Sequence, residues 1–219
     1  MRLYAYLKLY GNLTKSEVTK LFESNAITVN DNHVTLSYIV RTNDVVKVNN
    51  INIERVDFKY YLYYKPKGIL SVISNKPESY IHHLNIDSKM ALAGRLDKDS
   101  HGLMILSNDG SFINDILTNQ SKEKEYIVKL ELPVNDEFLS NIQKSYIIRG
   151  KDTNPIKASI IDEFTLKLIL TDGKYRQIRT IVKTCGNYVT DLMRIRIDKF
   201  TLGDLKPGEY KEISIREYA

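Results

Sequence analysis

Hydrophobic and polar positions along the chain fall into two regimes. Over residues 3–9 and again after Thr14, apolar side chains recur at helical spacing, and Val18, Leu21 and Phe22 give the second segment one apolar face. Thr14-Lys15-Ser16-Glu17 has the spacing of a capping box, in which Thr14 accepts from the Glu17 amide and Glu17 reaches back. Residues 27–34 alternate into an Asn/Asp turn, and residues 44–48 supply another short β segment. Two helices and a small β ribbon are therefore predicted over residues 1–50, followed by a polar linker over 51–57. From Phe58 onward β patterns dominate. Tyr126, Val128, Leu130 and Leu132 alternate with Ile127, Lys129 and Glu131, while Phe164, Leu166, Leu168 and Leu170 alternate with Thr165, Lys167, Ile169 and Thr171. Both stretches read as half-buried strands. Helical windows fall at residues 110–117, 135–144 and 175–185, the last with Ile178, Ile181, Val182 and Cys185 as its core stripe.

Strands and helices do not alternate as they would in a doubly wound sheet. The expected class is α+β, with a mixed, mostly antiparallel sheet in a domain over 58–219 behind the small N-terminal unit. A dinucleotide fold is excluded on two grounds: no G-x-G-x-x-G occurs, and Gly94, Gly102 and Gly110 are too widely spaced to cradle a pyrophosphate.

Composition narrows the class. With 42% hydrophobic and 27% charged residues over 219 positions, the chain is neither disordered in character nor equipped with a long apolar span. The opening Met-Arg-Leu-Tyr-Ala-Tyr-Leu-Lys lacks the apolar stretch of a signal peptide, so a cytoplasmic protein is expected. Its one cysteine, Cys185, fits a reducing compartment and a place in the core. A formal charge of +5 and a pI near 9.0 favour polyanionic partners, since Lys and Arg on phosphates release condensed counterions.

The most informative run is residues 93–110, Ala-Gly-Arg-Leu-Asp-Lys-Asp-Ser-His-Gly-Leu-Met-Ile-Leu-Ser-Asn-Asp-Gly. It places a short polar loop before an apolar strand at 103–106, which then ends in an Asn-Asp-Gly turn. Asp97 and Asp99 on such a loop are either turn formers or catalytic carboxylates set on a rigid scaffold edge.

Gly94-Arg95-Leu96-Asp97, followed by Ser100, Gly102-Leu103 and Asn108-Asp109-Gly110, resembles the signature of the ribosomal pseudouridine synthases of the RsuA type. Tyr64-Lys65-Pro66-Lys67-Gly68, Lys124-Glu125-Tyr126-Ile127-Val128 and Asp172-Gly173-Lys174-Tyr175-Arg176-Gln177-Ile178-Arg179 match family segments in order, as do Arg194-Ile195-Arg196-Ile197 and 202–210. The N-terminal unit resembles the S4 RNA-binding domain carried by family members.

The resemblance implies isomerisation of a uridine in ribosomal RNA, with neither cofactor nor metal. Asp97 takes the place of the essential aspartate, acting as nucleophile or base on a flipped-out uridine. Tyr126 matches the active-site tyrosine, whose ring stacks on uracil and whose phenol can move a proton; by pattern alone it is a strand core residue. Arg179 matches the basic residue paired with the aspartate; by pattern alone Arg176, Arg179 and Lys183 form a solvated face opposite the apolar stripe. Arg95, Arg176, Lys15 and Lys20 are the expected RNA contacts, with a plain salt bridge as the alternative for Arg95. Lys98-Asp99-Ser100 and 123–138 look closer to the F-type large-subunit enzymes, which favours 23S over 16S rRNA, and the chain is expected to act as a monomer.

Three departures stand out. Thr14-Lys15-Ser16 offers a single cation where the S4 helix usually carries several, and residues 1–50 hold 6 Lys+Arg against 4 Asp+Glu, a net of +2. Thr180 replaces a second arginine, and Asp198 replaces a glycine. The rival readings are an RNA-binding or ribosome-assembly factor that kept the fold without the activity, and a glycosidase using Asp97 and Asp99.

Overall fold

In the computed structural model, the described residues are 1–84, 86 and 90–215, and the chain divides into two compact units, Met1–Phe58 and Lys59–Ala219. In the first, α1 (Leu3–Tyr10) and α2 (Lys15–Glu23) lie with a three-stranded antiparallel sheet of β1 (Ile27–Val29), β2 (Val46–Val48) and β3 (Ile51–Asn52). The capping box at Thr14 is formed in full, so the helix begins where its sequence dictates. Leu3, Leu7, Val18, Ile27, Val29 and Val46 make a small core. Ile51 and Asn52, assigned to the linker by their polar surroundings, instead pair with β2 through Val48 and Lys47; one exposed isoleucine beside an asparagine is too short a pattern to mark an edge strand. Lys15 and Lys20 are exposed on α2.

The second unit is built on a nine-stranded mixed sheet. Its strands are β4 (Tyr60–Lys65), β5 (Ala91–Leu92), β6 (His101–Ser107), β7 (Lys124–Leu130), β10 (Lys157–Asp162), β11 (Thr165–Leu170), β12 (Val189–Ile197), β13 (Phe200–Thr201) and β14 (Tyr210–Ile213). A separate hairpin pairs β8 (Ile147–Ile148) with β9 (Lys151–Asp152), and among the described residues the unit also holds a 3-10 turn at Tyr80–His82 and the helices α3 (Gly110–Thr118), α4 (Asp136–Ile142) and α5 (Gln177–Thr184). The main order is β10-β11-β7-β12-β6-β4-β14, with β13 added to β12 and β5 to β6. Every pairing is antiparallel except β6 with β12.

The sheet's centre is buried on both faces, which explains why β6 reads as a continuous apolar run. Met104 and Leu106 enter one core with Tyr61, Tyr126, Val128, Leu168, Ile178 and Val182; Leu103 and Ile105 enter the other with Leu62, Ile113, Ile116 and Ile197. The 103–106 strand extends to His101–Ser107, and the expected Asn-Asp-Gly turn is a strand-to-helix junction: Asp109 caps α3 by accepting from the Ser111 and Phe112 amides at 3.0 and 3.1 Å. Leu132, expected on a strand, lies beyond β7 and is exposed. Among the described residues no helix is long and apolar enough to cross a membrane.

Candidate active site

The loop carrying Asp97 is held from three sides. The Leu96 amide donates to Ser71 Oγ at 3.1 Å while that hydroxyl donates to the Leu96 carbonyl at 2.8 Å. The Gly68 amide donates to the Lys98 carbonyl at 2.8 Å. Buried Lys65 donates from Nζ to the carbonyls of Ser100 and Pro66 at 2.8 and 3.0 Å. A turn fixed at positions 96, 98 and 100 leaves the residue at 97 little choice of direction, and its side chain stays 27% exposed. Burial pushes the Lys65 ammonium down to about 8, against the pull of Asp97 and Asp99.

Just beyond the loop, β6 and β12 meet as the parallel pair, with Gly102 aligned on Arg194. A Cβ on Gly102 would stand 2.2 Å from the Arg194 carbonyl oxygen, and φ is +106°, so only glycine fits. This close approach sets β12 beside the Asp97 loop.

Arg176 supplies the guanidinium nearest Asp97. Its Nη1 lies 3.5 Å from the Asp97 carboxylate, and its two terminal nitrogens donate to both oxygens of Asp99 at 3.3 and 3.1 Å. Arg176 precedes α5 in the left-handed region, φ 49°, a conformation unusual for a long side chain and one that sites tolerate when the surroundings enforce it. Arg179, expected to pair with Asp97, instead reaches Asp99: Nη2 is 3.4 Å from its carboxylate and donates to the Asp99 carbonyl and Ser100 Oγ at 3.3 and 3.2 Å, while Nη1 donates to the Val189 carbonyl at 3.3 Å. One turn of helix separates the two arginines, and the left-handed start at Arg176 swings its side chain, rather than that of Arg179, over Asp97. Nor is Arg179 on a solvated face; its side chain is only 15% exposed and its Nε is buried without a partner. Burial works against ionisation of Asp99, but Arg176 and Arg179 hold its carboxyl below the usual range.

Asp97, Tyr126, Arg176 and Arg179 line one cleft of about 370 Å³, together with Arg95, Lys124, Asp172, Lys174 and Arg194. That size falls within the roughly 300–1,000 Å³ of small-molecule sites. Tyr126 serves as core residue and cleft wall at once, 8% exposed on the inner face of β7. Arg95 is exposed at the rim and, among the described residues, makes no ion pair. Six cations in the lining (Arg95, Lys124, Lys174, Arg176, Arg179, Arg194) face two carboxylates (Asp97, Asp172), which suits an anionic guest.

Three contributors escape the sequence patterns. Lys65 fixes the loop from beneath. Lys124 lies two residues before Tyr126, so the period of a strand puts both on one face. Arg194, 2% exposed, donates from Nε to the Leu103 carbonyl at 2.7 Å and sets Nη2 2.8 Å from Met104 Sδ. Among the described residues no group of His, Cys, Asp or Glu is arranged to hold a metal ion.

A sequence profile described as RNA pseudouridylate synthase matches residues 59–184. The chain belongs to that family. It is similar over 98% of its length, at 31% identity, to the dual-specificity RNA pseudouridine synthase RluF of Escherichia coli (strain K12), covering 76% of that protein. It is 30% identical over its full length to ribosomal small subunit pseudouridine synthase A of Pasteurella multocida (strain Pm70), covering 98% of it. A solved structure described as a pseudouridylate synthase superposes with a TM-score of 0.71 at 27% identity, over 99% of this chain and 97% of the other. The protein is thus an RNA pseudouridine synthase of the RsuA/RluF type, and the mixed sheet is that of the family's catalytic domain. One departure from the family pattern has a local setting: Asp198, at the glycine position, adopts the left-handed φ of 52° and accepts Lys122 Nζ at 2.7 Å.

Proposed function

We propose that this synthase converts a uridine of ribosomal RNA to pseudouridine, with Asp97 acting on the ribose as nucleophile or base. The observation that carries the reading is the convergence of Asp97, Tyr126 and Arg176 on one cationic cleft. A guanidinium 3.5 Å away keeps the carboxylate aimed when RNA excludes water. The Tyr126 ring offers uracil an apolar wall while the base turns. Extracting a stacked base costs a few kcal/mol, so unpaired loops are the favoured substrates. Arg95 at the rim takes a flanking phosphate or fills the vacated stack, and Arg179 holds Asp99 and Ser100 in place behind the nucleophile.

The N-terminal unit, read as S4-like, adds a modest RNA grip through Lys15 and Lys20. Within rRNA, 23S is the proposed target, on the resemblance of Lys98-Asp99-Ser100 to the large-subunit enzymes; a cytoplasmic location follows from that substrate. The test is incubation of the protein with unmodified 23S and 16S rRNA, with pseudouridine mapped by chemical labelling and primer extension. One modified 23S position is expected. Modification of 16S alone would overturn the target, and no pseudouridine on either RNA would overturn the reading.

A further inference from the structure

Two of the less exposed cations in the cleft, Lys124 and Arg194, have no carboxylate of their own among the described residues. Arg194 spends its hydrogen bonds on a backbone carbonyl and a thioether. Lys124, half-buried, has one long hydrogen bond, from Nζ to the Lys122 carbonyl at 3.4 Å. Among the described residues neither makes an ion pair. The carboxylate whose field reaches Lys124 is that of Asp172, which already accepts from Gln177 Nε2 at 2.7 Å and from the Asn154 amide at 3.1 Å. Burial, then the charge of Arg194, lowers the pKa of Lys124. Two like charges kept together and partly dehydrated without a counter-ion do not stabilise a fold. They are placed to meet an anion that arrives with the substrate or forms from it.

The choice between those two follows from position. Lys124 shares a strand face with Tyr126, and Arg194 is the cross-strand partner of Tyr126 in the β7–β12 register. Both lie at the ring-binding wall, whereas the exposed cations suited to a hydrated phosphodiester, such as Arg95, stand at the rim.

We propose that Lys124, backed by Arg194, is a further catalytic residue that holds the carbonyl oxygens of uracil while the detached ring carries negative charge. The inference rests on the function proposed above. When the bond from ribose C1′ to N1 breaks, its electron pair stays on uracil, spread over N1, O2 and O4. The sugar is satisfied either by an ester bond from Asp97 to C1′ or by loss of the C2′ proton to Asp97 with formation of a C1′–C2′ double bond. The ring turns, C5 bonds to C1′, and Asp97 returns to a carboxylate, giving back the C2′ proton where it had taken one. The C5 proton passes to water and N1 takes a proton from water, so nothing is gained or lost. Uracil is neutral before the bond breaks and anionic after it, so an ammonium at its oxygens binds more strongly as the reaction proceeds, which is the condition for acceleration.

The test is single-turnover conversion of unmodified rRNA by Lys124→Met, Lys124→Gln and Lys124→Arg, with RNA affinity measured by filter binding. The Met and Gln variants are expected to react on the order of 10²-fold more slowly, with RNA affinity within about threefold of wild type and with Arg restoring most of the rate. A Met variant as fast as wild type, an affinity loss that matches the rate loss, or an Arg variant as slow as Gln would each overturn the role of Lys124. Wild-type protein that makes no pseudouridine would instead overturn the functional reading beneath it.

Discussion

Arg176 stands 3.5 Å from the Asp97 carboxylate while its two terminal nitrogens grip both oxygens of Asp99, and it does so from a left-handed backbone at φ 49°. One guanidinium thus ties Asp97 to Asp99 across their own loop. The fork geometry is what a lysine cannot reproduce.

Replacing Arg176 by Lys should leave a charge near Asp97 but release Asp99. Misplacement by about 1 Å can cost on the order of 10²-fold in rate, so kcat should fall by roughly one to two orders of magnitude. Steady-state kinetics on rRNA check this, and an unchanged kcat would show that charge alone suffices.

Gly102→Ala should destabilise the catalytic unit severely. The added methyl would meet the Arg194 backbone at 2.2 Å and force a side chain into φ +106°. Backbone strain and overpacking each cost about 1–3 kcal/mol. Urea unfolding should show a large drop in midpoint or loss of soluble protein; a midpoint equal to wild type would contradict the close β6–β12 approach.

The contribution of Lys65 to stability should rise with pH between about 8 and 10, while the tyrosines whose burial raises their pKa work in the opposite direction toward the top of that window. Burial lowers Lys65 to about 8 in the folded protein, against about 10.4 in an unfolded chain. Between those values the unfolded state binds more protons, so its free energy relative to the folded state increases with pH, by up to about 1.4 kcal/mol per pH unit. Below about 8 both states are protonated and the full burial penalty applies. Calorimetric melts of wild type and Lys65→Met across this window should show wild type gaining stability relative to the variant as pH rises; an equal slope in both proteins would contradict the buried ammonium.

Much of this architecture is legible in the chain. The capping box at Thr14, the alternation through Tyr126 and the stripe Ile178, Ile181, Val182 each became the element predicted, because each face is decided by local periodicity. β12 was not legible: Arg194 and Arg196 interrupt its apolar alternation, and a cation buried at 2% exposure is read as a surface residue by any polarity rule. Asp97, Tyr126 and Arg179 were named by family resemblance and do line one cleft. Which arginine faces Asp97 was beyond the sequence, since it turns on a single left-handed φ at Arg176 that no side-chain pattern announces.

The central claim is that one carboxylate, at position 97, performs the chemistry. Asp97→Asn keeps the shape of the side chain and removes its charge. Incubated with unmodified rRNA and mapped by labelling and primer extension, this variant should yield no pseudouridine while binding the RNA as tightly as wild type; turnover at the wild-type rate would contradict the account.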